Sequence, residues 1–221
     1  MAFYFIYYQT KTLNLSGCAI MSKKIISMDK NSYKVAYLSM EIALTNDIKT
    51  FAGGLGVLAG DLLRSASRLR FPMVGITIFN KQGYFRQTVS AYGKQEETDD
   101  PSAYDKLTLL EEKVSIVIGA DEVAVRIWKY EILAAGGLLI PVYLLDTDCP
   151  ENKDCYRKLS GHLYGGDLRY RLWQEIVLGQ GAIRALEILG YRDIKKIHLN
   201  EGHGALAAAE EYCRASASGS R

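Results

Sequence analysis

Four places in this 221-residue sequence hold side chains whose types and spacing could do chemistry. The first is Gly53-Gly54-Leu55-Gly56, set just ahead of a helical pattern. Glycines let a backbone come close to a ligand, and the first turn of a helix offers N–H groups with no partner inside the helix. An anion, phosphate above all, suits that arrangement. Two known phosphate loops are excluded: no Gly-Lys-Ser/Thr follows, and the glycine spacing is not that of the dinucleotide fingerprint. A tight turn is the plainer reading of the same residues.

The second is His198-Leu199-Asn200-Glu201-Gly202-His203, which closes an apolar run and opens a helical one. Strand alternation points His198 and Asn200 to one side. Polar groups at the carboxyl end of a strand suit a sugar or a phosphate. Two histidines and a glutamate could ligate a metal on paper, but no three-ligand pattern with an open position emerges, so no metal is expected. The bland alternative makes these residues the start of a helix, with His203 packing or capping. The third is Glu41, the one acid between Val35 and Leu44. A carboxylate there needs a partner or a raised pKa, or else serves as a helix N-terminal acid. The fourth is Asp167 with Arg169 and Arg171, just after Gly165-Gly166. Charges at a helix start are commonly solvated and nothing more.

The elements that must position these groups follow from the hydrophobic pattern. Lys34–Ser39 and Met73–Phe79 read as buried strands. Between them Val57, Leu58, Leu62, Ala66 and Leu69 recur at helical spacing, and Pro72 ends that helix. Tyr84–Gln87 continues extended after a turn, and the polar residues 92–106 read as a surface loop. Val114–Ile118 and Val123–Leu133 read as paired strands. Leu138–Leu145 is a strand whose Pro141 hints at an edge or a bulge. A long helix runs from Leu168 to Leu189, a strand from Lys195 to Asn200, and a final helix follows. Helices alternating with apolar strands give an α/β class, a doubly wound parallel sheet with an antiparallel excursion near 113–145.

Composition narrows the function classes. Hydrophobic residues make up 48% and charged residues 24%, so a core is available and global disorder is excluded. Lys+Arg total 27 against 25 Asp+Glu, a net charge of +2, which gives no footprint for nucleic acid. Four cysteines, with no Cys-x-x-Cys among them, make neither a zinc site nor a disulfide scaffold. No segment has the length and apolarity of a transmembrane helix. A reduced cytoplasmic protein is the expectation. Met1–Tyr8 is apolar and aromatic, too short to span a bilayer and without a positive lead-in. Residues 1–20 read as an extension or a mis-set start rather than a targeting peptide.

Six segments stand in an order that resembles the α-glucan phosphorylases: glycogen, starch and maltodextrin phosphorylases, and among them the shorter archaeal and bacterial branch. They are VAYLSMEIAL (Val35–Leu44), FAGGLGVLAGDLLRSASRL (Phe51–Leu69), GYFRQ (Gly83–Gln87), VYLLDTDCPEN (Val142–Asn152), LYGGDLRYRLWQEIVLGQGAIRALEILG (Leu163–Gly190) and HLNEGHGAL (His198–Leu206). The resemblance covers residues 34–212. It implies a GT-B glycosyltransferase fold, two Rossmann-like domains facing a cleft. It implies transfer of a glucosyl unit between an α-1,4-glucan and orthophosphate, giving α-D-glucose 1-phosphate. It also implies pyridoxal phosphate, whose phosphate group takes part in proton transfer.

Carried onto this sequence, the resemblance makes Gly53, Gly54 and Leu55 the loop facing the phosphate and the reacting sugar. Glu41 becomes an acid lining the active site. Ala43 stands where the longer-branch enzymes have a tyrosine touching the cofactor. Asn200 and His203 fall in the sugar site, His203 matching the histidine that binds the glucosyl 6-hydroxyl. Asp167 lies in the shortened counterpart of the gating loop, and Arg171 beside it.

Against the family the chain is short. It has no second Rossmann-like domain, no Ser-Gly-Thr motif and no lysine in the context of the cofactor site. The expected division is an extension over 1–33, a truncated N-terminal phosphorylase domain over 34–213 and a disordered tail over 214–221. Such a fragment is expected to be inactive alone, to want the missing C-terminal domain as partner, and to self-associate through uncovered apolar surface. Two rivals stand beside this reading. One is another GT-B enzyme such as a glycogen synthase, whose Lys-x-Gly-Gly-Leu-Gly loop differs from Phe51-Ala52-Gly53-Gly54 here. The other is a non-catalytic carbohydrate-binding module.

Overall fold

The computed structural model describes residues 27–217 and 219. In chain order the elements are β1 (Val35–Leu38), α1 (Gly54–Arg68), β2 (Met73–Ile78), β3 (Arg86–Val89), β4 (Gln95–Thr98), β5 (Thr108–Ile118), β6 (Asp121–Ile132), β7 (Ile140–Asp146), α2 (Asp154–Arg157), α3 (Leu168–Ile188), β8 (Lys196–Leu199) and α4 (Ala205–Ala217). Six strands form one sheet in the order β5-β6-β7-β2-β1-β8. The β7-β2-β1-β8 half is parallel, with Gly75 level with Val142, Val35 with Met73, and Val35 with Lys196. The β5-β6-β7 half is antiparallel. The sheet is therefore mixed, an α/β arrangement compatible with a Rossmann-like fold.

The burial pattern explains this division. Every residue of β2 and β7 is buried, as expected of parallel strands covered on both faces. On one face Val142 of β7 and Gly75 of β2 lie under Leu63 of α1. Leu145, of opposite parity on β7, meets Gly181 of α3, so α3 covers the other face. The end of β5 alternates buried and exposed over Val114–Ile118, as a half-covered edge strand does. The core runs between the helices, with Tyr37, Phe79, Leu63, Ile76 and Ile127 fully buried.

Four expectations need correction. Pro141 is not at an edge, since β7 lies between β6 and β2. Its missing N–H is tolerated because pairing with β2 begins only at Val142. The polar stretch 92–106 is not all loop: β4 pairs antiparallel with β3 in a separate exposed ribbon. Gly93, at φ 76°, supplies the left-handed residue of its turn. The final helix runs to Ala217, into the stretch expected to be a disordered tail, and Arg214 pairs there with Glu187 of α3. The body also starts before residue 34. A 3₁₀ turn over Lys30–Ser32 leads to Tyr33, which is buried and donates its hydroxyl to the Leu139 carbonyl at 2.7 Å. Residues 1–26, the greater part of the expected extension, lie outside the described residues.

Candidate functional site

The parallel strands β1 and β8 are neighbours, so their carboxyl ends open on the same edge of the sheet, where ligands of such sheets bind. From β1 the chain continues as a buried segment, Ser39–Leu44. It is tied at several points: Ile42 N–H to the Thr50 carbonyl (3.0 Å), Ala43 N–H to the Gly56 carbonyl (2.9 Å), and Arg64 Nη2 to the carbonyls of Ala43 (2.7 Å) and Leu44 (2.8 Å). A Cβ on Gly60 would sit 2.3 Å from the Ala43 carbonyl oxygen, so only glycine lets α1 lie this close.

Glu41 is 3% exposed. Its Oε2 accepts from Ala52 N–H at 2.8 Å and from Gly53 N–H at 3.3 Å. The carboxylate therefore fastens the glycine loop from behind. A Cβ on Gly56 would fall 2.3 Å from Phe51 Cβ and 3.0 Å from Glu41 Oε2, so this glycine is required for packing. Gly53 and Gly54 differ: a Cβ on either meets nothing within 4 Å, so both face open space. Gly53 is the N-cap of α1, offers no side-chain cap, and no acid stands in the first turn. The first intrahelical bond formed is Val57 N–H to the Gly53 carbonyl. The N–H groups of Gly54, Leu55 and Gly56 are thus left for an external acceptor at the positive end of the helix dipole.

At the end of β8, Asn200 N–H bonds the Leu38 carbonyl at 2.8 Å, and Asn200 Nδ2 donates to Ser39 Oγ at 3.2 Å. Asn200 thus ties β8 to the segment that carries Glu41. His198 does not join it at the site; its ring lies 5.0 Å from Tyr37. Glu201 follows with φ 61° and ψ −175°, a conformation belonging almost solely to glycine. That elbow turns the chain into the short turn bearing His203. Arg171 of α3 places Nη2 3.4 Å from His203 Nε2. A guanidinium only donates, so Nε2 is the acceptor in this contact. Nδ1 is buried and has no partner among the described residues.

Tyr164 completes the group; in the sequence it stands out only as a member of the segment Leu163–Gly190. Its φ is 56°. Arg171 lies 5.0 Å above its ring, and the His203 ring stands 6.3 Å away. Burial first, then hydrogen bonding and the charge of Glu41, push its phenol far above the usual range. The signal available in sequence was a bulky residue directly before Gly165-Gly166, a pair that marks a backbone bend.

Asp146 builds the segment leading to Tyr164. It is fully buried and accepts from Arg126 Nε (2.7 Å), Trp128 Nε1 (3.0 Å), Ser160 Oγ (2.5 Å) and Asp148 N–H (2.9 Å). Asp167 is exposed and caps α3 by accepting from Tyr170 N–H at 2.8 Å, while Arg169 lies over Trp173. Glu41 and Gly53 are therefore joined directly, Asn200 reaches Glu41 through Ser39, Arg171 and His203 meet beside Tyr164, and Asp167 is exposed. Among the described residues no cluster of three or more His, Cys, Asp or Glu could hold a metal, and no helix is long and apolar enough to cross a membrane.

Similar proteins carry names that bear on this arrangement. Glycogen phosphorylase of Mycobacterium tuberculosis is 35% identical over 191 residues, covering 80% of this chain and 21% of that protein. Maltodextrin phosphorylase of Thermococcus litoralis is 37% identical over 176 residues, covering 78% of this chain and 21% of that protein. Glycogen phosphorylase of Aquifex aeolicus is 34% identical over 184 residues, covering 79% of this chain and 26% of that protein. The chain thus spans between a fifth and about a quarter of the length of these relatives. No protein-family model matches it.

Proposed function

We propose, from the premise that this chain is a homologue of the glycogen and maltodextrin phosphorylases over about four-fifths of its length, that it forms the sugar-side wall of an α-1,4-glucan phosphorylase site. The reaction transfers a terminal glucosyl unit from the glucan to orthophosphate and gives α-D-glucose 1-phosphate. The observation that carries the reading is the uncapped, glycine-opened start of α1, with Gly53 and Gly54 facing open space. Three free N–H groups at the positive end of a helix suit a phosphate and the charge that develops near it. His203 and Asn200 serve the sugar hydroxyls. Arg171 holds His203 and adds positive charge.

In this reading the sheet is the first of two facing domains of a GT-B fold, in a cytoplasmic enzyme, and a second domain brings further cations to the phosphate. Pyridoxal phosphate, when bound in such enzymes, supplies a phosphate group for proton transfer. Among the described residues the contacts of Glu41, Tyr164, Arg171 and His203 include no lysine. These residues offer the cofactor no Schiff-base anchor.

Calorimetric titration of the chain with glucose 1-phosphate, and separately with UDP-glucose, tests the proposal. Binding of glucose 1-phosphate in preference to the nucleotide sugar supports it. Preference for the nucleotide sugar, or no binding of either, overturns it. The chain alone is expected to release no glucose 1-phosphate from maltoheptaose and orthophosphate.

A further inference from the structure

Two of the three non-glycine residues with positive φ among the described residues flank one histidine: Tyr164 at 56° and Glu201 at 61°; the third, Arg70, ends α1. Strained backbone costs of order 1–3 kcal/mol per residue and persists where its surroundings hold it, most often at functional sites. The strain at Tyr164 puts a large ring where Gly165 and Gly166 would otherwise continue a plain bend. That ring lies beneath the Arg171 guanidinium at 5.0 Å and beside the His203 ring at 6.3 Å. Arg171 in turn brings its Nη2 to 3.4 Å from His203 Nε2. Leu163, just before it, is buried, and the segment behind it is fixed by Asp146 and Ser160.

We propose that Tyr164 is the positioning residue of the sugar side: its ring fixes Arg171 and, through Arg171, His203. The inference rests on the reading of His203 as a sugar ligand.

Two substitutions isolate the ring: Tyr164→Phe keeps it and Tyr164→Leu removes it. The test is NMR on the full 221-residue chain, following the Arg171 side-chain Nε signal and the His203 ring protons, with the thermal midpoint as a folding control. In Tyr164→Phe both signals are expected to stay in place. In Tyr164→Leu both are expected to move and to broaden. A purely structural tyrosine would lower the thermal midpoint and leave these signals where they are. An unmoved Arg171 signal in folded Tyr164→Leu, or one that moves as far in Tyr164→Phe, overturns the proposal. Because these readouts need no ligand, they stand apart from a glucose 1-phosphate titration of the wild type, whose failure would count against the functional reading instead.

Discussion

Replacing Glu41 tests how the glycine loop is held. The carboxylate makes two bonds to backbone N–H groups, one short at 2.8 Å and one long at 3.3 Å. A hydrogen bond to a charged group contributes about 1.5–3 kcal/mol, and the long one falls well below that. Ala52 and Gly53 are exposed, so water takes up their N–H groups once the carboxylate is gone. The expected loss for Glu41→Ala is therefore about 2 kcal/mol, or roughly 4–8 °C in thermal midpoint for a domain of this size. Glu41→Gln keeps the volume and one acceptor oxygen but loses the charge, and should cost about 1 kcal/mol. Urea unfolding followed by circular dichroism gives both values, provided the slope against urea stays constant. Burying a carboxylate carries its own penalty. Were that penalty larger than the bonds, Glu41→Ala would be neutral or stabilising, and the carboxylate would not be an anchor.

The glycines of α1 should divide into two groups. Gly54→Ala should change stability by less than about 1 kcal/mol while weakening glucose 1-phosphate binding, because its Cβ enters open space. Gly60→Ala should cost more than about 2 kcal/mol despite better helix propensity, because its Cβ meets the Ala43 carbonyl at 2.3 Å; calorimetric melting of the two variants gives the comparison. Glu201→Gly should raise stability by about 1 kcal/mol in the same assay by relieving its backbone, and a loss there would show that its side chain matters more than its strain. Lys195 and Lys34 lower the Asp193 carboxyl from 3.8 to about 2. The unfolded chain then binds more protons between those values, so this contribution is present above about pH 4 and lost as pH falls toward about 2. Acid titration of Asp193→Asn should show a shallower stability loss in that window at low salt.

Much of the fold could be read from the sequence because its signals were local. Continuous apolar runs gave β1, β2 and β7, and the glycine-to-proline span around Gly54–Pro72 gave α1. Pro141 misled because strand position depends on which neighbours arrive, and the residue alone carries no such information. The strand at Gln95–Thr98 was missed because it has no buried face and is held by pairing with β3. At the site, the sequence marked the open glycines but could not separate Gly53 and Gly54 from Gly56 and Gly60, whose need is set by Phe51 and Ala43. Glu41 stood out as a lone acid among apolar residues; that its partners are the loop's own N–H groups is a tertiary fact. Tyr164 escaped because its φ is imposed by packing and runs against the preference of its residue type.

The most direct test is to map glucose 1-phosphate onto the chain by ¹H–¹⁵N NMR titration. If the start of α1 and the turn after β8 form one phosphate-and-sugar site, the largest shifts should fall on the Gly54, Leu55 and Gly56 amides and on the His203 ring, with a dissociation constant of about 1 mM. Gly54→Ala should abolish the amide shifts. Shifts centred on the far edge at β5, or no shift at the α1 start at saturating ligand, would contradict the account.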